Sequence, residues 1–266
     1  MLFGAAAVAM CASAEVKTGV PFADGMVLQR GRNVPVWGTA EPGEAVTVSF
    51  AGQTKTTTAG ADGKWRVELD AMEASKENRT MSVNGAANTE EIKNVLVGEV
   101  WFASGQSNME CPIWGNNPRY RDGKGGIMTQ MIHRSSVRYT VTGKKQTAEP
   151  RFDWKARWRE LSPQSRRAHA LSAVAFYYAL DIYGELEIPV GIIEASWGGS
   201  RIEPWIPLAP GEERKPLEED AKARFNQAHT MFNAMVAPYA PYAMRGMIWY
   251  QGCSNEGDGV MYAPKL

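Results

Sequence analysis

The chain has 266 residues, 44% of them apolar and 22% charged, which is enough for one large domain or two smaller ones and excludes a disordered or fibrous chain. Lys and Arg together number 29, as do Asp and Glu, so the formal net charge is zero. No basic block occurs anywhere, which argues against a nucleic-acid partner or an anionic membrane surface.

Residues 1–14, "MLFGAAAVAMCASA", carry no charge and end on Ala12-Ser13-Ala14 before Glu15. This matches the apolar core and small-x-small cleavage region of a secretory signal peptide, although the positive n-region is missing. The alternative is a buried N-terminal helix. The run is too short to span a bilayer, and Met10 before Cys11 is a poor match for the small residue that lipidation wants. The expected location is periplasmic or secreted, with no membrane association beyond the signal segment. Two cysteines, Cys111 and Cys253, then remain in the mature chain.

From residue 15 to 94 short strand candidates alternate with turn residues: "VPVWGTA", "EAVTVSFAG", "KTTTAG", "KWRVELDAM" and "RTMSVNG". Val46, Val48 and Phe50 alternate, as do Trp65, Val67 and Leu69, and Asp62-Gly63 between two such runs is a hairpin signal. The expectation is a small antiparallel β-sandwich domain over 15–94, with a short linker near 84–94.

Residues 95–266 read differently. "NVLVGEVWFAS", "IPVGIIEAS" and "RGMIWYQG" are near-continuous apolar runs, as strands buried on both faces would be. Between them lie two helix candidates. "AHALSAVAFYYALDIYG" sets Ala168, Leu171, Ala175, Tyr178 and Ile182 at helical spacing with Gly184 near its end, and "EEDAKARFNQAHTMFNAMVAPYA" is the second. Alternating strands and helices predict an α/β domain with a parallel sheet. The stretch 112–164 shows no period and reads as a long surface excursion near the site.

In an open parallel sheet ligands bind beyond the carboxyl ends of the strands. Three polar, glycine-bearing segments follow the three apolar runs: "GQSN" (Gly105 to Asn108), "SWGGS" (Ser196 to Ser200) and "QGCSN" (Gln251 to Asn255). Ser107, at a sharp turn where a helix begins, suits a nucleophile if a histidine takes its proton; it also suits a helix cap. Gly198 and Gly199 offer bare N–H donors for an oxyanion, or simply a tight turn. The carboxamides of Gln251 and Asn255 are neutral donors of the right kind, and also routine turn formers.

"GQSNME", "VGIIEASWGGSRIEPW" and "MRGMIWYQGCSN" resemble three signature blocks of the sialate O-acetylesterase family, which belongs to the SGNH-type hydrolases. "FADGMVLQRGRNVPVWGTAEPGEAVTVSFAGQ" is similar to the β-sandwich domain that bacterial members carry ahead of the catalytic part. The resemblance implies a flavodoxin-like α/β SGNH hydrolase domain and a nucleophile at Ser107. It also implies an oxyanion hole drawn from the Ser107 N–H, Gly198 or Gly199, and a side chain of the third block, Gln251 or Asn255. The implied substrates are O-acetyl esters of sialic acids, with acetylated xylan or pectin as an alternative. A non-catalytic carbohydrate-binding protein is the rival from another class. No cofactor is implied, and the quaternary state is left open.

Two departures stand out. Many relatives read QGESN where this chain has Cys253, which cannot act as a carboxylate partner for histidine. The family's catalytic histidine lies in a DxxH-type element near the C-terminus, which no stretch here matches, so the chain is expected to be a fragment lacking the histidine and its acid, with apolar surface uncovered. The histidines present are His133 in the aperiodic stretch and His169 and His229 in the helix candidates. None is at metal-ligand spacing, so no metal site is expected. Cys111 and Cys253 fall in two blocks at one end of the sheet, where a disulfide would tie the loops together; two buried thiols are the alternative. Trp101, Trp114, Trp197, Trp205 and Trp249 fall near the three loops and suit stacking on sugar faces, or core packing.

Overall fold

A computed structural model describes residues 15–113, 136–152, 154–162 and 171–266. The N-terminal strands are β1 (Lys17–Thr18), β2 (Val27–Gln29), β3 (Val34–Thr39), β4 (Ala45–Phe50), β5 (Gln53–Thr58), β6 (Lys64–Leu69), β7 (Ser75–Asn84) and β8 (Thr89–Gly105). Strands β1, β3 and β6 form one antiparallel sheet. Strands β8, β7, β4 and β5 form the opposing antiparallel layer, with β2 parallel to β8 on its other side. The alternation seen in the sequence sets the facing surfaces: Val46, Val48 and Phe50 of β4 and Trp65, Val67 and Leu69 of β6 are buried in one cluster between the layers.

One turn differs from the sequence expectation. Asp62-Gly63 does not close a hairpin, because β5 pairs with β4 while β6 pairs with β3 in the other sheet. Each apolar face needs an opposing layer, so the chain crosses between sheets at this turn. The hairpin is β4–β5, closed by Ala51 and Gly52, both at positive φ (50° and 80°), which suits the twist of a two-residue loop.

The stretch expected to be a linker, 84–94, is the β7–β8 hairpin, with Asn84 opposite Thr89. Strand β8 then runs on for 17 residues, with an irregularity at Asn94 (φ 58°) where its register with β7 shifts. Its first half pairs with β7 and β2; from Glu99 onward its neighbours are strands of the second layer. Gly98 stands where the partners change. A methyl group there would lie 1.9 Å from the Pro189 carbonyl oxygen, so only glycine lets the chains meet.

The second layer adds β9 (Val137–Val141), β10 (Arg159–Glu160), β11 (Val190–Ser196) and β12 (Gly246–Tyr250). The order is β10-β9-β11-β8-β12, with β9, β11, β8 and β12 mutually parallel and β10 antiparallel at the rim. The α-helices among the described residues are α1 (Ser107–Glu110), α2 (Ala173–Leu186) and α3 (Ala221–Phe225). Helix α2 buries Ala175, Phe176, Ala179 and Leu180 against Val137, Tyr139, Val190 and Ile192 on one face of the sheet. Its N-terminus is capped by the Ser172 hydroxyl, which accepts the Ala175 N–H at 3.2 Å. It runs past Gly184 and ends on Glu187 in the left-handed conformation (φ 53°). Ala168 and His169 lie outside the described residues.

The other face, with Phe102, Ile193 and Ala195, is covered by Trp205, Met231, Met235 and Tyr239. Trp205 comes from a 3-10 turn over Glu203–Trp205, and the other three side chains from the second helix candidate, which is not one helix. It breaks into α3, a π turn over Phe232–Val236 and a 3-10 turn over Ala237–Tyr239. Asp220 starts α3 by accepting the Ala223 N–H at 2.8 Å, Asn226 ends it, and His229 sits at φ 70°, outside any right-handed helix. The supposed excursion 112–164 hides the parallel strand β9, whose Arg138 and Thr140 broke the apolar pattern; Arg138 is buried and pairs with Glu160 at 3.1 Å. Among the described residues β12 pairs only with β8, and its Met247 and Tyr250 are exposed. No helix of the described residues is long and apolar enough to cross a membrane.

Candidate active site

The carboxyl ends of β8, β11 and β12 stop level with one another: Gly105 lies opposite both Ser196 and Tyr250. Gly105 has φ 146°, and a methyl group on it would fall 2.1 Å from the Tyr250 carbonyl oxygen. The Gln106 N–H donates to that same oxygen at 3.0 Å, and the Trp197 N–H donates to the Gly105 carbonyl at 3.0 Å. The three glycine-bearing loops therefore meet at one edge of the sheet.

Ser107 is the first residue of α1 and is exposed at this edge. The cap position belongs to Gln106, and no side chain caps the turn, so the hydroxyl is not spent on capping. Gly198 forms the wall beside it: a methyl group on Gly198 would be 3.5 Å from the Ser107 Cβ and 2.9 Å from Glu110 Oε2. The Gly198 N–H donates to Glu110 Oε2, and Glu110 Oε1 pairs with Lys144. Gly199 follows at φ 79°, exposed. The backbone bonds leave the N–H groups of Ser107 and Gly199 without a protein acceptor among the described residues.

The third loop differs from expectation. Gln251 donates to the Ser200 carbonyl (3.1 Å) and to Asn255 Oδ1 (2.8 Å), and its own Oε1 accepts from the Tyr262 hydroxyl (2.6 Å). Asn255 is buried; its amide donates to Glu203 (3.2 Å) and Asp258 (2.9 Å), and its Oδ1 also accepts the Ile202 N–H (2.9 Å). Both carboxamides are consumed in fastening the third loop to the second, which leaves neither amide free as an oxyanion donor. The same holds for the Gly198 N–H, which Glu110 occupies. The link from the third loop to the nucleophile turn is Gln106, whose Oε1 accepts the N–H groups of Gly252 (3.1 Å) and Ser254 (3.2 Å).

Behind that loop lies an ion cluster. Arg201 binds both oxygens of Asp258 (2.8 and 3.0 Å) and reaches Glu203 at 3.2 Å, while Lys265 bonds Glu203 at 2.6 Å and Asp258 at 2.8 Å. Burial alone would raise the Glu203 carboxyl, but Lys265 and Arg201 outweigh it and hold it at about 2. Lys265, Asn255 and Arg201 hold Asp258 well below the usual carboxylate range. Beneath the second loop the balance is reversed. Glu194 is buried in β11, and burial pushes its carboxyl up to about 7 despite bonds from the Ser172 N–H and the Ser196 hydroxyl, both 2.8 Å. The charge of Glu110 adds to the rise and that of Lys144 opposes it. Glu194 was visible in the sequence as the lone acid in "IPVGIIEAS"; Glu110 stood inside the first block.

His229 is turned elsewhere, with Nδ1 at 2.9 Å from the Ile206 carbonyl oxygen and Nε2 at 2.9 Å from Glu212 Oε1. His133 and Trp114 lie outside the described residues. The expected Cys111–Cys253 bridge is not formed, and both thiols are free and exposed. The Cys111 backbone is drawn to α2, its carbonyl accepting the Ala173 N–H at 2.8 Å, whereas Cys253 Sγ lies beside Asn108, 3.8 Å from Nδ2. Of the tryptophans, Trp101 packs edge-on to Tyr178 and Trp205 edge-on to Trp249. Trp197, between Phe225 and Lys144, stands next to Gly198. Among the described residues no group of three or more His, Cys, Asp or Glu side chains is placed to hold a metal.

A partly parallel layer whose strand ends converge on an exposed serine and a glycine loop is a mixed α/β architecture, a class in which ligands bind at the carboxyl edge of the sheet. The chain belongs to the family described as carbohydrate esterase, sialic acid-specific acetylesterase, which matches residues 97–265. It is similar to human sialate O-acetylesterase, 28% identical over 249 residues that cover 86% of this chain and 47% of that one. The mouse sialate O-acetylesterase is 25% identical, covering 86% of this chain and 50% of its own length. The chain thus spans about half the length of the curated relatives it matches. The crystal structure of a carbohydrate acetylesterase from Xanthomonas citri superposes with a TM-score of 0.81 at 30% identity, covering 94% of this chain and 55% of that one.

Proposed function

We propose that this chain supplies the nucleophile and the charge-stabilising donors of a serine esterase that removes O-acetyl groups from sialic acids or related acetylated carbohydrates. The observation that carries the reading is the exposed Ser107 hydroxyl at the tip of β8, walled by Gly198, with the N–H groups of Ser107 and Gly199 left unpaired. The hydroxyl attacks the acetyl carbonyl carbon, and the carbonyl oxygen takes up negative charge facing those donors, where fixed N–H groups are worth a few kcal/mol in a site of this kind. The sugar oxygen leaves with a proton, and water then releases acetate from the acyl-enzyme. A serine hydroxyl needs a base for the first step, and the resemblance assigns that role to the histidine of a DxxH-type element, which no stretch of this sequence matches; His229 is engaged with Ile206 and Glu212.

Counted in chain order the parallel strands β9-β11-β8-β12 lie 2-3-1-4, which differs from a 2-1-3 start. What supports the flavodoxin-like reading is that β8 has later strands on both sides, so the order reverses at its carboxyl end. The change of β8 partners near Gly98 supports a division into 15–94 and 95–266. The uncharged 1–14 segment supports export to the periplasm or beyond.

The test is hydrolysis of O-acetyl sialic acid by this chain beside a form extended to the length of its relatives, each with and without Ser107→Ala. The extended form is expected to be faster by on the order of 10⁴-fold, and Ser107→Ala to abolish both its activity and its labelling by a serine-directed phosphonate. Activity that survives Ser107→Ala would overturn the assignment, and equal rates for the two lengths would remove the need for an outside base.

A further inference from the structure

Helix α1 is a single turn of four residues, Ser107–Glu110, too short to hold its own shape. Its orientation therefore depends on what grips it: Met109 is buried and its sulfur accepts the Ser172 hydroxyl at 3.3 Å, and each end is held by a loop. At the front Gln106 is gripped by the third loop through the Gly252 and Ser254 N–H groups. At the back Glu110 is gripped by the second loop, one oxygen accepting the Gly198 N–H and the other paired with Lys144. Lys144 comes from the segment after β9, and its ammonium also stands 5.9 Å from the centre of the Trp197 ring, so the grip includes a cation–aromatic contact to the residue preceding Gly198. Ser107 lies between these two anchors, with the Gly198 backbone against its Cβ.

We infer that Glu110, held by Lys144, is a positioning residue for the esterase: it ties the nucleophile turn to the glycine loop and so fixes the distance between the Ser107 hydroxyl and the neighbouring Gly199 N–H. The inference rests on the proposed function for its consequence and on the structure alone for the contact. A charged acceptor on a backbone N–H makes a short, directional bond, and Gly198, lacking a side chain, lets the carboxylate come in beside it. Among the described residues no other hydrogen bond joins α1 to the glycine loop. Misplacing a nucleophile by an ångström costs about 100-fold in rate while leaving substrate affinity largely alone.

The experiment compares Glu110→Ala, Glu110→Gln and Lys144→Met in the extended, active form of the protein, with amide exchange at Gly198 read alongside kcat and KM. Glu110→Ala is expected to lower kcat by roughly 30–100-fold with KM within about threefold, and to speed exchange at Gly198 at least about tenfold. Glu110→Gln keeps the acceptor oxygen and should recover most of the rate, within about fivefold of the parent; Lys144→Met should fall between the two. Unchanged Gly198 exchange in Glu110→Ala would refute the contact, whatever the activity shows. A kcat within twofold of the parent, or a loss carried by KM, would refute the positioning role while Ser107→Ala remained inactive. Should Ser107→Ala stay active, the functional reading falls and Gly198 exchange alone still decides the contact.

Discussion

The acids on the two sides of the Ser107 turn behave oppositely. On the third-loop side, Glu203 and Asp258 face Arg201 and Lys265 and are held ionised far below neutrality. On the second-loop side Glu194 is buried, its carboxylate accepts from the neutral Ser172 N–H and Ser196 hydroxyl, and burial pushes it up to about 7. The third loop has both of its carboxamides, Gln251 and Asn255, fully engaged and works as a clamp. The second retains an unpaired N–H, an adjustable acid and a carboxylate lent to Gly198. Polar residues that look alike along the chain thus divide into those that build the site and those left free to act. What separates them is how many of their bonding positions the fold has already filled.

The clamp can be broken at Asn255. Asn255→Ala removes the acceptor of the buried Ile202 N–H and of the Gln251 amide, and strips a donor from Glu203 and Asp258. Unpaired buried groups in one network cost about 3–4 kcal/mol together, so the melting temperature should fall by roughly 8 °C. A fall under ~2 °C in thermal denaturation would mean that water or neighbouring groups replace the carboxamide, and that the third loop is no tighter than the second.

The convergence of the loops was legible because three apolar runs were each followed by a polar, glycine-bearing segment, and parallel strands bring their carboxyl ends to one edge. The third run is not buried on both faces as expected, since Met247 and Tyr250 of β12 are exposed. The division of labour was not legible, because it depends on partners distant in sequence. Gln251 and Asn255 have the chemistry of oxyanion donors, and only the positions of Ser200, Tyr262 and Glu203 show that chemistry to be used up. Strand β9 was hidden for a related reason: Arg138 and Thr140 look solvent-facing until Glu160 is found beside the guanidinium. The Asp62-Gly63 turn misled because turn chemistry fixes a local bend and says nothing of which sheet the next strand joins. His229 looked helical because its neighbours keep a helical spacing, yet its own backbone is left-handed.

Glu194 sharpens the contrast through pH. Its carboxyl is raised in the folded chain, so the folded state holds that proton more tightly than the unfolded one. Its contribution is fully present below about 4.5, the ordinary value, and is lost as pH rises through about 7. The groups facing it are the Ser172 N–H, the Ser196 hydroxyl, Glu110 and Lys144. Glu194→Gln keeps a carbonyl for the Ser172 N–H and an amide for the Ser196 hydroxyl, while removing the charge. The substituted protein should match the parent near pH 4 and be more stable by up to about 3 kcal/mol at pH 8. Denaturant unfolding at the two pH values measures this; a difference that does not change with pH would show that Glu194 titrates normally and that the two sides are alike.

The smallest effect belongs to the second loop itself. Gly199 has φ 79°, and a methyl group there would meet nothing nearer than the Phe225 ring at 3.8 Å, so substitution strains the backbone without a collision. Gly199→Ala is therefore expected to cost about 1 kcal/mol of stability and to retain the N–H that faces the site. Gly198→Ala sets the scale beside it, since its methyl group would press on Glu110 Oε2 at 2.9 Å and on the Ser107 Cβ at 3.5 Å. If unfolding experiments gave the Gly199 change the larger penalty, the glycine loop would be held at Gly199, and the grip on the nucleophile turn would have to be sought there.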